Sequence, residues 1–268
     1  MATVADLVER ARLLLAGELV PPSARPAATV ALVRDGADGL EVYLLRRVRA
    51  MSFGAGMHVF PGGSVDPGDQ LDLAAPPAWV GPEPDWWAGR FGTDPVSAGA
   101  LVGAAVRETF EEAGVLLAGP SADELVDDIG GPEWDDERVA LEAGRQSLPE
   151  LLVRRGLLLR ADLLAPLAHW ITPEFEPKRF DTRFFLAALP ERQTCRDVGT
   201  EADHRLWIRP QQALSSEIAV MAPTRAVLQE LAGYPDVASA LTAEREITAI
   251  MPRVELDGDR IRLVLAAP

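Results

Sequence analysis

Interleaved strand-like and helix-like segments predict an α/β fold, and three observations carry that reading. Apolar–polar alternation marks Ala28–Arg34 and Leu40–Arg46, with Asp35-Gly36-Ala37-Asp38-Gly39 between them as a hairpin-type turn. A helical pattern runs from about Pro95 to Ala113. Strand-like runs then return near 164–171, 180–189 and 202–208, followed by helical patterns near 210–216, 223–232 and 235–245.

The remaining elements follow in order. Residues 4–16 read as a short amphipathic helix, closed by Gly17 and the Pro21-Pro22 stop. His58-Val59-Phe60 reads as a short strand entering Pro61-Gly62-Gly63. Between about 70 and 94 the chain turns rich in Pro, Gly, Asp and Trp and loses periodicity, as expected of an inserted surface segment. Residues 121–156 carry helical patterning with a break at Gly130-Gly131-Pro132, and Val254–Val264 reads as a hairpin turning at Asp257-Gly258. A single domain over residues 1–268 is expected.

Composition excludes several classes. The net charge of −15 opposes nonspecific binding to nucleic acid or to an anionic membrane. No apolar run approaches the ~18–20 residues of a membrane span. The first residues mix charge into apolar sequence, unlike a secretory signal. The single cysteine, Cys195, rules out an internal disulfide framework and fits a reducing, cytoplasmic setting. Arginine supplies nearly all the positive charge, because Lys178 is the only lysine.

The chemistry is concentrated in Arg107-Glu108-Thr109-Phe110-Glu111-Glu112-Ala113-Gly114-Val115. Glu108, Glu111 and Glu112 stand at i, i+3 and i+4, so they share one face of a helical turn. Like charges at that spacing cost a helix roughly 0.2–0.5 kcal/mol per pair, so a cation is expected among them. Three hard oxygen donors suit Mg²⁺ or Mn²⁺, with substrate phosphates completing the shell. A solvated glutamate-rich face is the alternative, and the fixed order of arginine, glutamates and glycine argues against it.

This run resembles the second half of the Nudix box, G-x5-E-x7-R-E-U-x-E-E-x-G-U, where U is bulky and apolar. The first half appears earlier, as Gly63-Ser64-Val65-Asp66-Pro67-Gly68-Asp69. Removing residues 70–99 joins Asp69 to Ala100–Val106 and restores the spacing to Arg107, with Asp in place of the first Glu. The split box resembles a Nudix subfamily that includes the animal peroxisomal acyl-coenzyme A diphosphatases. So do Leu44-Leu45-Arg46-Arg47 with His58–Gly63, Trp170–Pro173 with Lys178–Phe185, and Met221-Ala222-Pro223-Thr224.

The resemblance implies an α/β/α sandwich around a mixed sheet, with residues 70–99 inserted in the box and extra helices. It implies hydrolysis of a diphosphate in a small nucleoside diphosphate derivative, coenzyme A or its thioesters among the candidates. NADH, ADP-ribose and a nucleotide-sensing role without cleavage are the alternatives, and a homodimer is allowed. Glu111 and Glu112 map onto the paired metal ligands, Glu108 onto the glutamate assisting them, and Arg107 onto a residue that orients them. Glu201 is the candidate general base outside the box, against an ordinary loop glutamate. Gly62 and Gly63 would let backbone approach a metal–phosphate cluster. Arg46, Arg47 and Arg49, and separately Lys178, Arg179 and Arg183, are candidates for binding substrate phosphate, against plain surface basicity. The insertion is expected to form a rim or lid at the site, with its tryptophans anchoring it. His58, His169 and His204 read as structural, and Cys195 as inert.

Overall fold

The computed structural model describes residues 3–48, 54–70, 79–127, 129–199, 202–258 and 260–265. Arg49 and Glu201, two of the residues singled out above, lie outside them. After an N-terminal helix α1 (Val4–Leu15) come β1 (Arg25–Gly36), β2 (Gly39–Arg47), β3 (His58–Val59) and β4 (Gly62–Ser64). The insertion contributes β5 (Trp79–Val80) and α2 (Pro84–Phe91), and the central helix α3 (Pro95–Ala113) follows. Next are β6 (Ala118–Gly119), α4 (Pro132–Glu142), α5 (Leu148–Arg155), β7 (Leu158–Arg160), β8 (Leu164–Ile171), β9 (Phe180–Ala188) and β10 (Ala202–Ile208). The chain finishes with α6 (Pro210–Ser215), α7 (Ala222–Leu231), α8 (Val237–Thr242), β11 (Ala249–Ile250), β12 (Arg253–Asp257) and β13 (Arg260–Val264).

The main sheet has the order β10-β2-β1-β9-β8-β11, with β3 beside β2 and β4 beside β1. It is mixed: β1 runs antiparallel to β2 and parallel to β9, and the long connection between β1 and β9 provides the crossover that a parallel pair needs. Alternation along the strands sends side chains to two separate cores. Ala28, Val30, Leu32, Tyr43, Leu45 and Phe185 face α3 and its neighbours. Ala31, Val33, Val42, Leu44, Phe184 and Leu186 face α7 and α8. The architecture is therefore helix–sheet–helix, as expected from the sequence.

α3 owes its rigidity to its ends and its burial. Asp94 caps it by accepting from the Ser97 amide at 3.0 Å, Pro95 opens the first turn, and Gly114 closes it in the left-handed region at φ 65°. From Ala98 to Glu111 every residue of it is buried, between the sheet on one side and α2 and α4 on the other.

Two expectations are corrected. Residues 121–129 form turns and extended chain where they are described, and the helical part of that region is confined to α4 and α5. The insertion is not a surface segment throughout. Its second half is α2, which packs along the N-terminal half of α3, and Trp87 is fully buried against Phe91 and Phe185, with ring centroids 5.9 and 5.4 Å away. Only Trp86 of that pair is exposed.

A consequence is testable. Trp87→Ala should destabilise the fold by about 3–5 kcal/mol in denaturant unfolding, the cost of emptying a core site of that size. Trp87→Phe should cost far less, because the buried indole Nε1 has no hydrogen-bond partner to lose. Equal, small losses for both would mean α2 is peripheral.

Candidate active site

Arg107, near the C-terminal end of α3, is the hub of the site. Its Nε and Nη2 donate to the two carboxylate oxygens of Asp69 at 2.7 and 2.9 Å, a bidentate pair. Nη2 also donates to the Ser64 carbonyl at 2.9 Å, and Nη1 to Glu108 at 2.9 Å and Glu111 at 3.1 Å. All five N–H groups of the guanidinium therefore have acceptors. Burial opposes its charge, but Asp69 and the two glutamates outweigh that and hold its pKa above the ordinary arginine value.

Asp69 reaches Arg107 because the chain delivers it there. It ends a 3₁₀ turn, Pro67–Asp69, closed by the Asp66 amide donating to its side chain at 2.7 Å. That turn packs on α3 at Gly103, where a Cβ would meet the Asp69 carbonyl at 2.5 Å. The shorter acid thus completes the box from across the insertion.

The three glutamates are held differently. Glu112 accepts from the Gly62 amide at 2.8 Å. Glu108 lies so close to Gly63 that a Cβ there would collide with its carboxylate, and a Cβ at Gly62 would meet the Ala28 carbonyl at 2.5 Å. Gly63 is thereby explained by its close approach to the Glu108 carboxylate, and Gly62 by its close approach to β1. Glu111 is buried, and its Oε1 has no hydrogen-bond partner. Burial, with Glu108 and Asp69 adding to it and Arg107 opposing, pushes its pKa up to about 8.

These carboxylates line a cavity of about 50 Å³, together with Glu142 from α4, Val198, Gly199 and Arg205 from β10. Sequence reasoning missed Glu142 and Arg205. Glu142 carries no motif and arrives only because α4 packs on α3. Arg205 had a weak signal: opposite Leu45 in the β2–β10 register, it must face the α3 side of the sheet.

The remaining residues distribute unevenly. Arg46 pairs with Asp203 at 2.7 Å and, by alternation with Leu45, lies on the far face of the sheet. Arg47 ends β2 on the same face as Leu45. Lys178 stands 5.3 Å above the Phe180 ring. Arg179 is buried and donates to the Thr172 and Pro22 carbonyls at 3.0 and 2.8 Å, which makes it a strut for the chain rather than a substrate group. Arg183 is buried and paired with Asp181 at 2.5 Å, and His169 contacts the same carboxylate. Among the described residues, the cavity wall includes none of Lys178, Arg179 and Arg183. His58 faces the Ala219 carbonyl at 3.3 Å, with His204 edge-on to it at 6.1 Å. Burial pushes the Cys195 thiol up to about 12, which suits an unreactive role.

No family model matches the chain. It is 30% identical over 212 residues to the acyl-coenzyme A diphosphatase NUDT19 of Gallus gallus, covering 65% of this chain and 55% of that protein. Against the Homo sapiens protein of the same name it is 30% identical over 260 residues, covering 80% and 64%. The chain therefore spans less than two thirds of these curated relatives. A crystal structure of a Nudix hydrolase from Alicyclobacillus acidocaldarius is 31% identical, with a TM-score of 0.68 over 84% of this chain and 98% of that one. With its split box closed through Asp69 and Arg107, the chain belongs to the Nudix hydrolase family.

Proposed function

We propose that the protein hydrolyses the diphosphate linkage of a nucleoside diphosphate derivative, with water as nucleophile and Glu108, Glu111 and Glu112 holding Mg²⁺ or Mn²⁺. The observation that carries the reading is the Arg107-anchored glutamate turn, whose Glu111 Oε1 is buried beside a cavity without a partner. Among the described residues no three potential ligands already converge as a metal cage. Glu108 and Glu111 instead turn to Arg107, and Glu112 to the Gly62 amide. The donor set nevertheless fits Mg²⁺, which is usually bound by one or two carboxylates, waters and substrate phosphates rather than by a protein cage.

The ion would supply charge neutralisation at the phosphate oxygens and a lowered pKa for water. The chain supplies the rest. Arg107 fixes the rotamers of Glu108 and Glu111, Gly62 fixes Glu112, and Gly63 leaves room for the Glu108 carboxylate. Glu142, held by Arg138 at 3.3 Å, is a carboxylate on the cavity wall that can serve as proton acceptor for the attacking water, and Glu201, outside the described residues, is the candidate that the sequence offers for the same role.

For substrate we favour coenzyme A or an acyl-coenzyme A, which the names of the NUDT19 relatives support. The test is a turnover screen of coenzyme A, dephospho-coenzyme A, NADH and ADP-ribose with Mg²⁺ and with Mn²⁺. Coenzyme A should give the highest kcat/KM. Preference for NADH or ADP-ribose would replace the substrate assignment and keep the chemistry. Binding of these compounds without any turnover would point to a nucleotide sensor instead.

A further inference from the structure

Arg205 lines two hollows at once. Besides the glutamate cavity it borders a groove of about 430 Å³ along edge strand β10, walled by Tyr43, Cys195, Asp197, Asp203 and Trp207. That size lies within the usual range of small-molecule sites, about 300–1,000 Å³. The Tyr43 and Trp207 rings stand 5.2 Å apart and give the groove an aromatic wall.

The charges around the groove are already matched. Asp197 accepts from Arg205, Asp203 from Arg46, and Arg196 pairs with Asp135 at 2.9 Å. Such a wall offers apolar surface and carboxylate acceptors, which suit hydroxyl or amide donors and repel a further phosphate. The inner end differs. Arg205 Nη2 donates to the Val198 carbonyl, while its Nε is buried without any acceptor. A buried orphan donor on a cation, at the junction with the glutamate cavity, calls for an anionic oxygen.

We propose that this groove seats the uncharged arm attached to the scissile diphosphate, and that Arg205 Nε donates to the phosphate oxygen at the junction. The inference rests on the diphosphatase reading and adds to it where the leaving or retained arm lies. Two sources have the required chemistry: a nucleoside, or the amide chain of a phosphopantetheine.

Binding to the intact protein is measured directly by isothermal titration calorimetry with adenosine 5′-monophosphate, 4′-phosphopantetheine, adenosine 3′,5′-bisphosphate and inorganic diphosphate. One of the first two should bind several-fold more tightly than inorganic diphosphate, and which one does so identifies the arm. Arg205→Lys keeps a cation for Asp197 but removes the Nε–H, and it should raise the Kd of that compound roughly tenfold. In turnover it should raise KM more than it lowers kcat, with an unchanged unfolding midpoint. Binding of inorganic diphosphate as tight as that of the arm-bearing compounds, or binding of none of the four, overturns the proposal. Because calorimetry reads binding, it is independent of whether hydrolysis is observed.

Discussion

Glu112→Gln is expected to lower kcat by several orders of magnitude while leaving the fold intact. Glutamine keeps an oxygen that accepts from the Gly62 amide, at 2.8 Å in the structure, so the loop–helix contact survives. What it removes is one negative charge from the set that would bind the divalent ion, along with the affinity that charge provides. The expected signature is a lost response of the thermal midpoint to Mg²⁺ together with the lost rate. Wild-type turnover by Glu112→Gln would show that the reacting site lies elsewhere.

The second large effect is on stability. Arg107→Met should cost about 3–5 kcal/mol, because it leaves Asp69, Glu108 and Glu111 buried without their counter-charge. Replacing both partners, Arg107→Met with Asp69→Leu, should recover a large part of that loss, since the uncompensated charge rather than the lost pair dominates it. Arg107→Lys should be intermediate, as an ammonium has three donors where the guanidinium uses five. Urea unfolding of the wild type, the two single variants Arg107→Met and Asp69→Leu, and the double variant gives the cycle. Additive losses in the double variant would mean that the two groups act independently and that the Arg107–Asp69 link does not organise the box.

These predictions also show which features are legible in a sequence. The glutamate face is fixed by the period of a helix, so Glu108, Glu111 and Glu112 can be placed together from their spacing alone. Gly62, Gly63 and Asp69 come into view through the order of the split box, and the folded chain supplies the physical reason, in the contacts at Glu108, Glu112 and Arg107. Strand alternation likewise predicts the two-faced sheet. What alternation and spacing do not carry is which distant surfaces meet. Trp87 lies in an aperiodic, Pro-rich stretch and still fills the core against Phe185. Arg179 and Arg183 have the composition of a phosphate site, but tertiary contacts to Pro22, Thr172 and Asp181 occupy them. Glu142 and Arg205 reach the cavity only through the packing of α4 and the register of β10.

The most direct test of the account is hydrolysis of the preferred substrate in ¹⁸O-water with Mg²⁺, followed by mass spectrometry of both products. Attack of water on a phosphorus of the diphosphate predicts one ¹⁸O atom, in a phosphate group of one product only. For coenzyme A the two products would be adenosine 3′,5′-bisphosphate and 4′-phosphopantetheine. Unlabelled phosphates, or label on a carbon-bound hydroxyl, would contradict water-mediated cleavage of the diphosphate at this site.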